Sequence, residues 1–434
     1  MHQSLLPIVP SLAALCVALT TLAVGAADRV AQTHTFKKIQ LSTEFWSEGA
    51  HIGDFNKDGK MDVASGPYWY AGPDFKAKHE IYPATRRSKS TKDGKPVEFG
   101  GYKGTLGSEN EYSDNFTAYT QDFNGDGWTD YLVVGFPGAQ TAWFENPKNE
   151  KGHWKRHVAA ESTDNESPMF ADLTGDGKAE LIFHTGGHLG YATPDPKAPT
   201  AKWAFHKISA KGGWQRFTHG IGIGDVNGDG KTDFLMKEGW WQQPASLESD
   251  PEWAFHPAAF GAGGAQMYTY DVNADGRLDV ITSLAAHGYG LAWFEQLAGK
   301  DDKGHPQFKQ HTLMGSKPEE NKYGVKFSQL HAIDLVDMDG DGLKDIVTGK
   351  RIWAHGPGGD AEPNAPAVLY WFQLTRDLDK NVHYIPHLID DNSGIGTQVL
   401  AADINGDKLP DVIVGNKNGT FVHLHALGTR GGTR

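Results

Sequence analysis

Seven near-copies of one nine-residue pattern, Asp-x-Asn-x-Asp-Gly-x-x-Asp, place oxygen-bearing side chains at alternate positions. They are Asp54/Asn56/Asp58/Asp62, Asp122/Asn124/Asp126/Asp130, Asp172/Thr174/Asp176/Glu180, Asp225/Asn227/Asp229/Asp233, Asp271/Asn273/Asp275/Asp279, Asp337/Asp339/Asp341/Asp345 and Asp403/Asn405/Asp407/Asp411. A hard cation such as calcium takes six to eight oxygens, and a tight loop supplies them from alternate side chains and a backbone carbonyl. The spacing therefore predicts up to seven structural calcium loops, with magnesium as the other candidate. Glycine follows position 5 in six copies, where a sharp turn favours a residue at ease with positive φ, and Lys408 takes that place in the seventh. The last copy is thus expected to bind most weakly. The glutamate at position 12 and the flanking helices of an EF-hand are missing; short apolar runs bracket the loops instead, as strands joined by metal-stapled turns.

A second set of residues differs from copy to copy. Six positions before each loop stand Glu48, Phe116, Glu166, His219, Ala265, His331 and Thr397. After the second strand come His184 and His188, Lys237 with Trp240 and Trp241, His287, Lys350 with Arg351 and His355, and Asn416 with Lys417. Variation within a repeat array is how function grafted onto a symmetric scaffold looks. The expected catalytic residues are His184, His188, His219, His287, His331 and Lys350. Glu166, Lys237, Trp240, Trp241, Gln266, Gln329, Arg351 and His355 form the expected substrate-binding set. Histidines could hold zinc or another divalent metal, or act as base and acid. Lysine and arginine would stabilise an enolate, and paired indoles would stack on a sugar ring. The inventory suits proton abstraction beside a carbonyl followed by β-elimination. Glu48 and Glu166 could alternatively serve glycoside hydrolysis. No phosphate loop, nucleophile elbow or Ser/His/Asp signature is present.

Positioning these residues calls for a repeated unit. Each reads as an inner strand, a metal loop, a second strand, an aromatic-rich third strand such as Ala292-Trp293-Phe294-Glu295, and an outer strand pairing an aromatic with a histidine, as in Trp253 to His256. Four antiparallel strands make a propeller blade, so the expected fold is an all-β, seven-bladed β-propeller over residues 28–427. An outer-type strand at Phe36 precedes the first loop, and the chain ends after a third strand, so the N-terminal strand is expected to complete the last blade. Two insertions, Arg86 to Glu111 and Gly356 to Pro366, read as rim loops. The tail 428–434 reads as disordered.

Residues Leu5 to Val24 are apolar and uncharged, and Val24-Gly25-Ala26 offers a cleavage site, so 1–27 reads as a secretory signal peptide. The mature chain would then be secreted or periplasmic, free of the membrane and, since Cys16 is the only cysteine, free of disulfides. A net charge of -13 argues against a nucleic-acid partner.

The loops resemble those of FG-GAP/VCBS repeat propellers, a group that includes the integrin α-subunit head. The stretches Glu166 to Tyr191, QRFTHGIGIGDVNGDG, QMYTYDVNADGRLDVITSLAAHGYGLAWFEQ and FSQLHAIDLVDMDGDGLKDIVTGKRIWAHGP are similar to the propeller domain of fungal aldos-2-ulose dehydratases and their secreted bacterial relatives. The resemblance implies elimination of water, or of a glycosidic leaving group, from a keto-sugar. It puts the base at His184 or His188, with His219, His287, His331 and Lys350 binding substrate or metal. A non-catalytic calcium propeller for glycans or proteins, and a uronate polysaccharide lyase, are the alternatives.

Overall fold

The computed structural model describes residues 33–104 and 109–428. The expected signal peptide lies outside the described residues, as do 429–434; Gly428 itself ends the last strand rather than opening a tail. Two compact units are distinguished: His34–Ala426, which holds nearly all of the strand residues, and a second of which Thr33, Leu427 and Gly428 are described. Among the described residues one 3-10 turn, Pro318–Glu320, accompanies the strands, and no helix is long and apolar enough to cross a membrane.

The architecture is all-β, a curled, propeller-like array of antiparallel meanders. A plain example runs His51–Gly53, Asp62–Ser65, Tyr68–Tyr70 and Lys78–Glu80 in spatial order. Another runs Ile333–Val336, Asp345–Gly349, Leu369–Arg376 and Val382–Asp390. Larger sheets arise where neighbours fuse. The long strand Lys155–Ala171 pairs through Thr163 with Ala139–Glu145 and, after a register shift, from Asp164 with Glu180–Thr185. Gly222–Gly224 and Met267–Tyr270 run parallel and join two meanders into eight strands. The first strand, Thr33–Ser42, lies beside the last, Gly419–Gly428, so that edge is covered.

Each repeated loop links the first and second strands of a meander, and position 9 is always the first residue of the second strand. That carboxylate is buried in all seven copies. One oxygen accepts the backbone N–H of position 2 at 2.9–3.0 Å in every copy, from Phe55, Phe123, Leu173, Val226, Val272, Met338 and Ile404. In the six aspartate copies the other accepts an N–H beyond the second strand, at 2.7–2.9 Å, from Gly72, Asn146, Gln243, Gln296, Leu374 and His425. The position-2 side chains fill the core on the inner side. Position 9 is therefore a structural pin as well as a candidate ligand. Position 1 closes the turn from within: Asp225 accepts the N–H groups of Gly228, Asp229 and Gly230 at 2.8–3.0 Å.

The side chains at positions 3 and 5 make bonds within the turn. Among the described residues, three carboxylates with metal-compatible spacing occur in two of the loops, and Asp58, Asp275 and Asp407 belong to neither. These three, with Asn227 and Asn405, are exposed on the turn, while Asn124, Thr174 and Asn273 are half-buried. Their polar atoms bond within the loop. The Asn227 and Asn273 amides donate to Asp229 and Asp275 at 3.1 Å, and the Asn56 amide donates to Asp58 at 3.1 Å. Asn124 and Asn405 accept the N–H groups of Asp126 and Asp407 at 3.0 and 2.9 Å. Asp58 and Asp407 accept from Lys60 and Leu409 at 2.8 and 2.9 Å, Asp275 is ion-paired with Arg277, and the Thr174 hydroxyl is 3.4 Å from Glu180. The reason is local: side chains two apart in a tight turn reach each other and the intervening N–H groups, as in an Asx turn.

The outer-strand histidines also have a repeated task. The third-strand ring stacks on the fourth-strand imidazole in Trp69–His79, Trp143–His157, Tyr191–His206, Trp240–His256, Trp293–His311 and Trp371–His387, with centroids 4.1–4.9 Å apart. The roles reverse where the first strand meets the last, with Phe36 stacked on His425 at 4.6 Å. The insertion expected as a loop after Arg86 contains a hairpin, Arg87–Lys92 with Lys95–Gly100, because its Asp93-Gly94 turn supplies two positive φ values.

Lys408 holds φ +72 in the slot that is glycine elsewhere. Lys408→Gly should raise stability by about 1 kcal/mol, and Gly342→Ala, at φ +90 with open space around its Cα, should lower it by about as much. Urea titrations of the two variants check both signs.

Candidate functional site

Three imidazoles from distant parts of the chain converge. His219 precedes the strand Gly222–Gly224, His331 precedes Ile333–Val336, and His287 sits in the turn after Asp279–Ser283. Their ring centroids are 4.9 Å (His219–His287), 5.5 Å (His219–His331) and 4.7 Å (His287–His331) apart. One nitrogen from each falls within 4.8 Å of the others, close enough to share a metal ion.

Each ring has an oxygen near one nitrogen. Glu166 Oε2 lies 3.4 Å from His219 Nε2, Asp360 Oδ1 lies 3.4 Å from His287 Nδ1, and the Gln329 carbonyl lies 3.2 Å from His331 Nδ1. The first two are charge contacts without hydrogen-bond geometry. His219 Nε2, His287 Nδ1 and His331 Nε2 are all buried and find no hydrogen-bond partner among the described residues. Burial, with neighbouring charges, holds His331 well below the usual imidazole range and lowers His287 to about 4, so both are neutral near neutral pH.

A second dyad borders the cluster. His355 Nδ1 lies 2.8 Å from Asp360 Oδ1, and the half-exposed His355 ring packs on His287 at 4.4 Å. His287, His355 and Asp360 form another triplet with metal-compatible spacing. Beneath the cluster Arg351, 2% exposed, is ion-paired with Glu48 and donates to Glu166 Oε2 at 3.0 Å. Burial pushes Glu166 up, but its bond to His219 and the charge of Arg351 more than offset this, and its carboxyl is lowered to about 2. Lys350 Nζ donates to Ser328 Oγ at 2.7 Å, and burial lowers it to about 8 against the pull of Glu362 and Asp360. Tyr112 donates to the Ala354 carbonyl at 2.7 Å.

The structure thus brings together Glu48, Glu166, His219, His287, His331, Arg351 and His355 of the expected set. It keeps others apart. His184 is fully buried beside Asp164, with Nδ1 3.9 Å from Oδ2, and burial lowers it to about 4; it is outside the metal-compatible groups among the described residues. His188 sits with Nδ1 3.1 Å from the Ser209 carbonyl. Lys237 donates to the Ala262 carbonyl at the rim. Trp240 and Trp241 cannot stack on a sugar: both are buried, Trp240 is covered by His256, and Trp241 packs among Phe234, Trp253 and Ile221. Gln266 and Gln329 are spent on backbone groups, Gln266 accepting from Ile333 N–H and Gln329 from Ala354 N–H. Asp360, Ser328 and Tyr112 escaped the sequence reading. A single aspartate in a Gly/Pro-rich insertion carries no periodic signal, though its place in the Gly356 to Pro366 insertion marked the segment.

Residues 122–183 match the model of an FG-GAP-like repeat, and residues 395–433 that of an FG-GAP repeat. These two segments are similar to FG-GAP repeats. No curated protein matches it. Among solved structures it is similar to the V. cholerae biofilm matrix protein Bap1, at 17% identity and a TM-score of 0.31, over 64% of this chain and 40% of that one. It is also similar to an Agrocybe aegerita lectin specific for non-reducing terminal N-acetylglucosamine, at 12% identity and a TM-score of 0.33, over 90% of this chain and 86% of that one.

Removing Arg351 would strand two buried carboxylates. Arg351→Met should cost about 3–5 kcal/mol in urea unfolding, and adding Glu48→Gln should recover part of that loss.

Proposed function

We propose that the converging histidines form the metal-dependent active site of an exported carbohydrate lyase that eliminates water, or a glycosidic leaving group, from a keto-sugar. The observation that carries this reading is the set of three imidazoles within reach of one ion, with His219 Nε2, His287 Nδ1 and His331 Nε2 all buried and without a hydrogen-bond partner among the described residues. Neutral imidazoles suit zinc or a similar divalent ion. His219, His287 and His331 would hold it, and when bound it would supply Lewis-acid polarisation of the substrate carbonyl.

The remaining steps belong to the chain. His355, its Nδ1–H directed at Asp360, presents Nε2 as the general base that takes the proton beside the carbonyl. The electron pair released forms the carbon–carbon double bond as the β C–O bond breaks. The His355 imidazolium returns its proton to the departing hydroxyl, which leaves as water, while Lys350 is fully buried with its Nζ on Ser328. Arg351 touches no reacting atom; it holds Glu166, and Glu166 holds His219.

This assigns the base to His355 instead of His184 or His188. Incubation with 1,5-anhydrofructose should generate an enone absorbing in the near ultraviolet, and His355→Ala should lower kcat by about 10²–10⁴-fold. Glu166→Gln should weaken metal binding by about 10–100-fold, read by competition with a chromophoric chelator. Absence of turnover on any keto-sugar, with unaltered glycan or protein ligands recovered after binding, would leave a non-catalytic propeller.

We also infer seven blades stapled by calcium, the first strand closing the last blade. In two loops, Asp172/Asp176/Glu180 and Asp337/Asp339/Asp345, three carboxylates offer ligand atoms within 4.8 Å. In the others the side chains at positions 3 and 5 would exchange their contacts within the turn for the ion. Burial raises Asp62 and Asp411 to about 6, Asp130, Asp233 and Asp279 to about 7, and Asp345 to about 8. A carboxyl raised in the fold contributes stability below its unfolded value of about 4 and loses it as pH rises through the folded value. Protein kept in chelator should therefore melt at lower temperature as pH climbs from about 4 to about 8, and calcium should restore most at the upper end. A melting temperature at about pH 8 indifferent to calcium would sink the staple.

A further inference from the structure

A groove lies outboard of the histidine cluster. Three adjoining cavities of about 500, 370 and 440 Å³ all share Asp114 in their walls. The first is walled by Tyr82, Phe136, Phe144 and Arg156, the second by Tyr82, Arg86 and Tyr102, and the third by Tyr102, Phe136 and Tyr112. Shared residues make the three one continuous track.

Its walls present rings in several orientations. Tyr82 stacks on Phe144 at 4.6 Å, and Phe136 meets Tyr112 at 5.4 Å and the exposed Phe217 at 5.5 Å. The Asp114 side chain stays accessible at the junction, with the Tyr102 hydroxyl directed at it, while the surrounding walls raise its carboxyl. Tyr112, in the wall of the third cavity, stands 6.3 Å from the buried Phe116, whose ring lies 5.5 Å from the Arg351 guanidinium, and its hydroxyl donates to the Ala354 carbonyl beside His355.

Charge narrows the occupant. Arg86 is ion-paired with Glu111 at 3.3 Å, and Arg156 donates to Gln140 Oε1 at 2.9 Å. Glu111 compensates Arg86 and Asp114 lines all three cavities, so Arg156 stands as a single guanidinium and the track offers a polyanion no cationic lane. Aromatic rings with interspersed carboxylate and guanidinium groups match the apolar C–H faces and equatorial hydroxyls of sugar units.

We infer that this groove binds the non-reacting units of an uncharged saccharide chain whose terminal unit enters the histidine site. The inference rests on the carbohydrate reading of that site. It makes the substrate class an oligosaccharide rather than a free monosaccharide.

Calorimetric titration of the full chain with 1,4-linked gluco-oligosaccharides, α and β, from monosaccharide to hexasaccharide tests it. Affinity should rise about tenfold or more along one series, and Asp114→Asn and Phe136→Leu should each lower hexasaccharide affinity by about 3–10-fold without changing the melting temperature. Affinity independent of chain length, or equal in wild type and both variants, overturns the groove. The two readings fail separately. Chain-length-dependent binding lost in the variants, with no keto-sugar turnover, supports the groove and removes the chemistry; turnover of 1,5-anhydrofructose with flat affinity does the reverse.

Discussion

The buried Arg351 guanidinium, held between Glu48 and Glu166, is the constraint on which the site depends. A charge out of water costs several kcal/mol unless its partners are in place. Both partners come from elements far away in sequence, with Glu166 separated from Arg351 by 185 positions. Three meanders must therefore arrive at one point before the interaction stops being a penalty. Once they do, Glu166 faces His219, the Gln329 carbonyl that accepts the Arg351 N–H also faces His331, and the histidine cluster has its floor.

Repetition and variation divide the work. The position-9 carboxylates do one job seven times, binding position 2 of their own loop and, in six copies, a strand beyond it. Burial and the neighbouring carboxylates raise them, so their deprotonation costs the fold stability. The stacked aromatic–histidine pairs likewise repeat around the array, so neither feature can distinguish one meander from the next. Distinction rests with residues just ahead of the first strand and just after the second.

That division explains what was legible in the sequence. The loops were, because a nine-residue ligand pattern survives inspection without tertiary knowledge, and counting back six positions reached Glu48, Glu166, His219 and His331. The direction of the loop side chains was not: spacing alone cannot tell that the Asn227 amide turns to Asp229. The partners of the outer histidines were hidden too: His256 follows Trp253 closely, yet its ring lies on Trp240 of the adjacent strand. Trp240 and Trp241 looked like a sugar platform because two consecutive indoles suggest an exposed face, whereas the sheet buries one on each side. His184 looked like a base because it follows a second strand, but its ring turns into the sheet beside Asp164. Asp360, Tyr112 and Asp114 lie in or next to insertions, whose placement follows from packing that no periodicity encodes.

The histidine cluster shows why the site is suited to a cation. Three imidazoles within 5.5 Å of one another cannot all be protonated, since each added charge would repel the next and Arg351 as well. Left neutral, each ring carries a lone pair, and His219 Nε2, His287 Nδ1 and His331 Nε2 are buried without a hydrogen-bond partner among the described residues. The Gln329 carbonyl faces His331 Nδ1 and so leaves its Nε2 as the lone pair. A divalent ion would answer the lone pairs without adding a proton, and its charge would be balanced by Glu166 and Asp360, which already face the rings. The same two carboxylates tie the cluster to its surroundings: Glu166 leads to the buried Arg351 and Asp360 leads out to the half-exposed His355, so one side of the cluster is clamped and the other faces solvent.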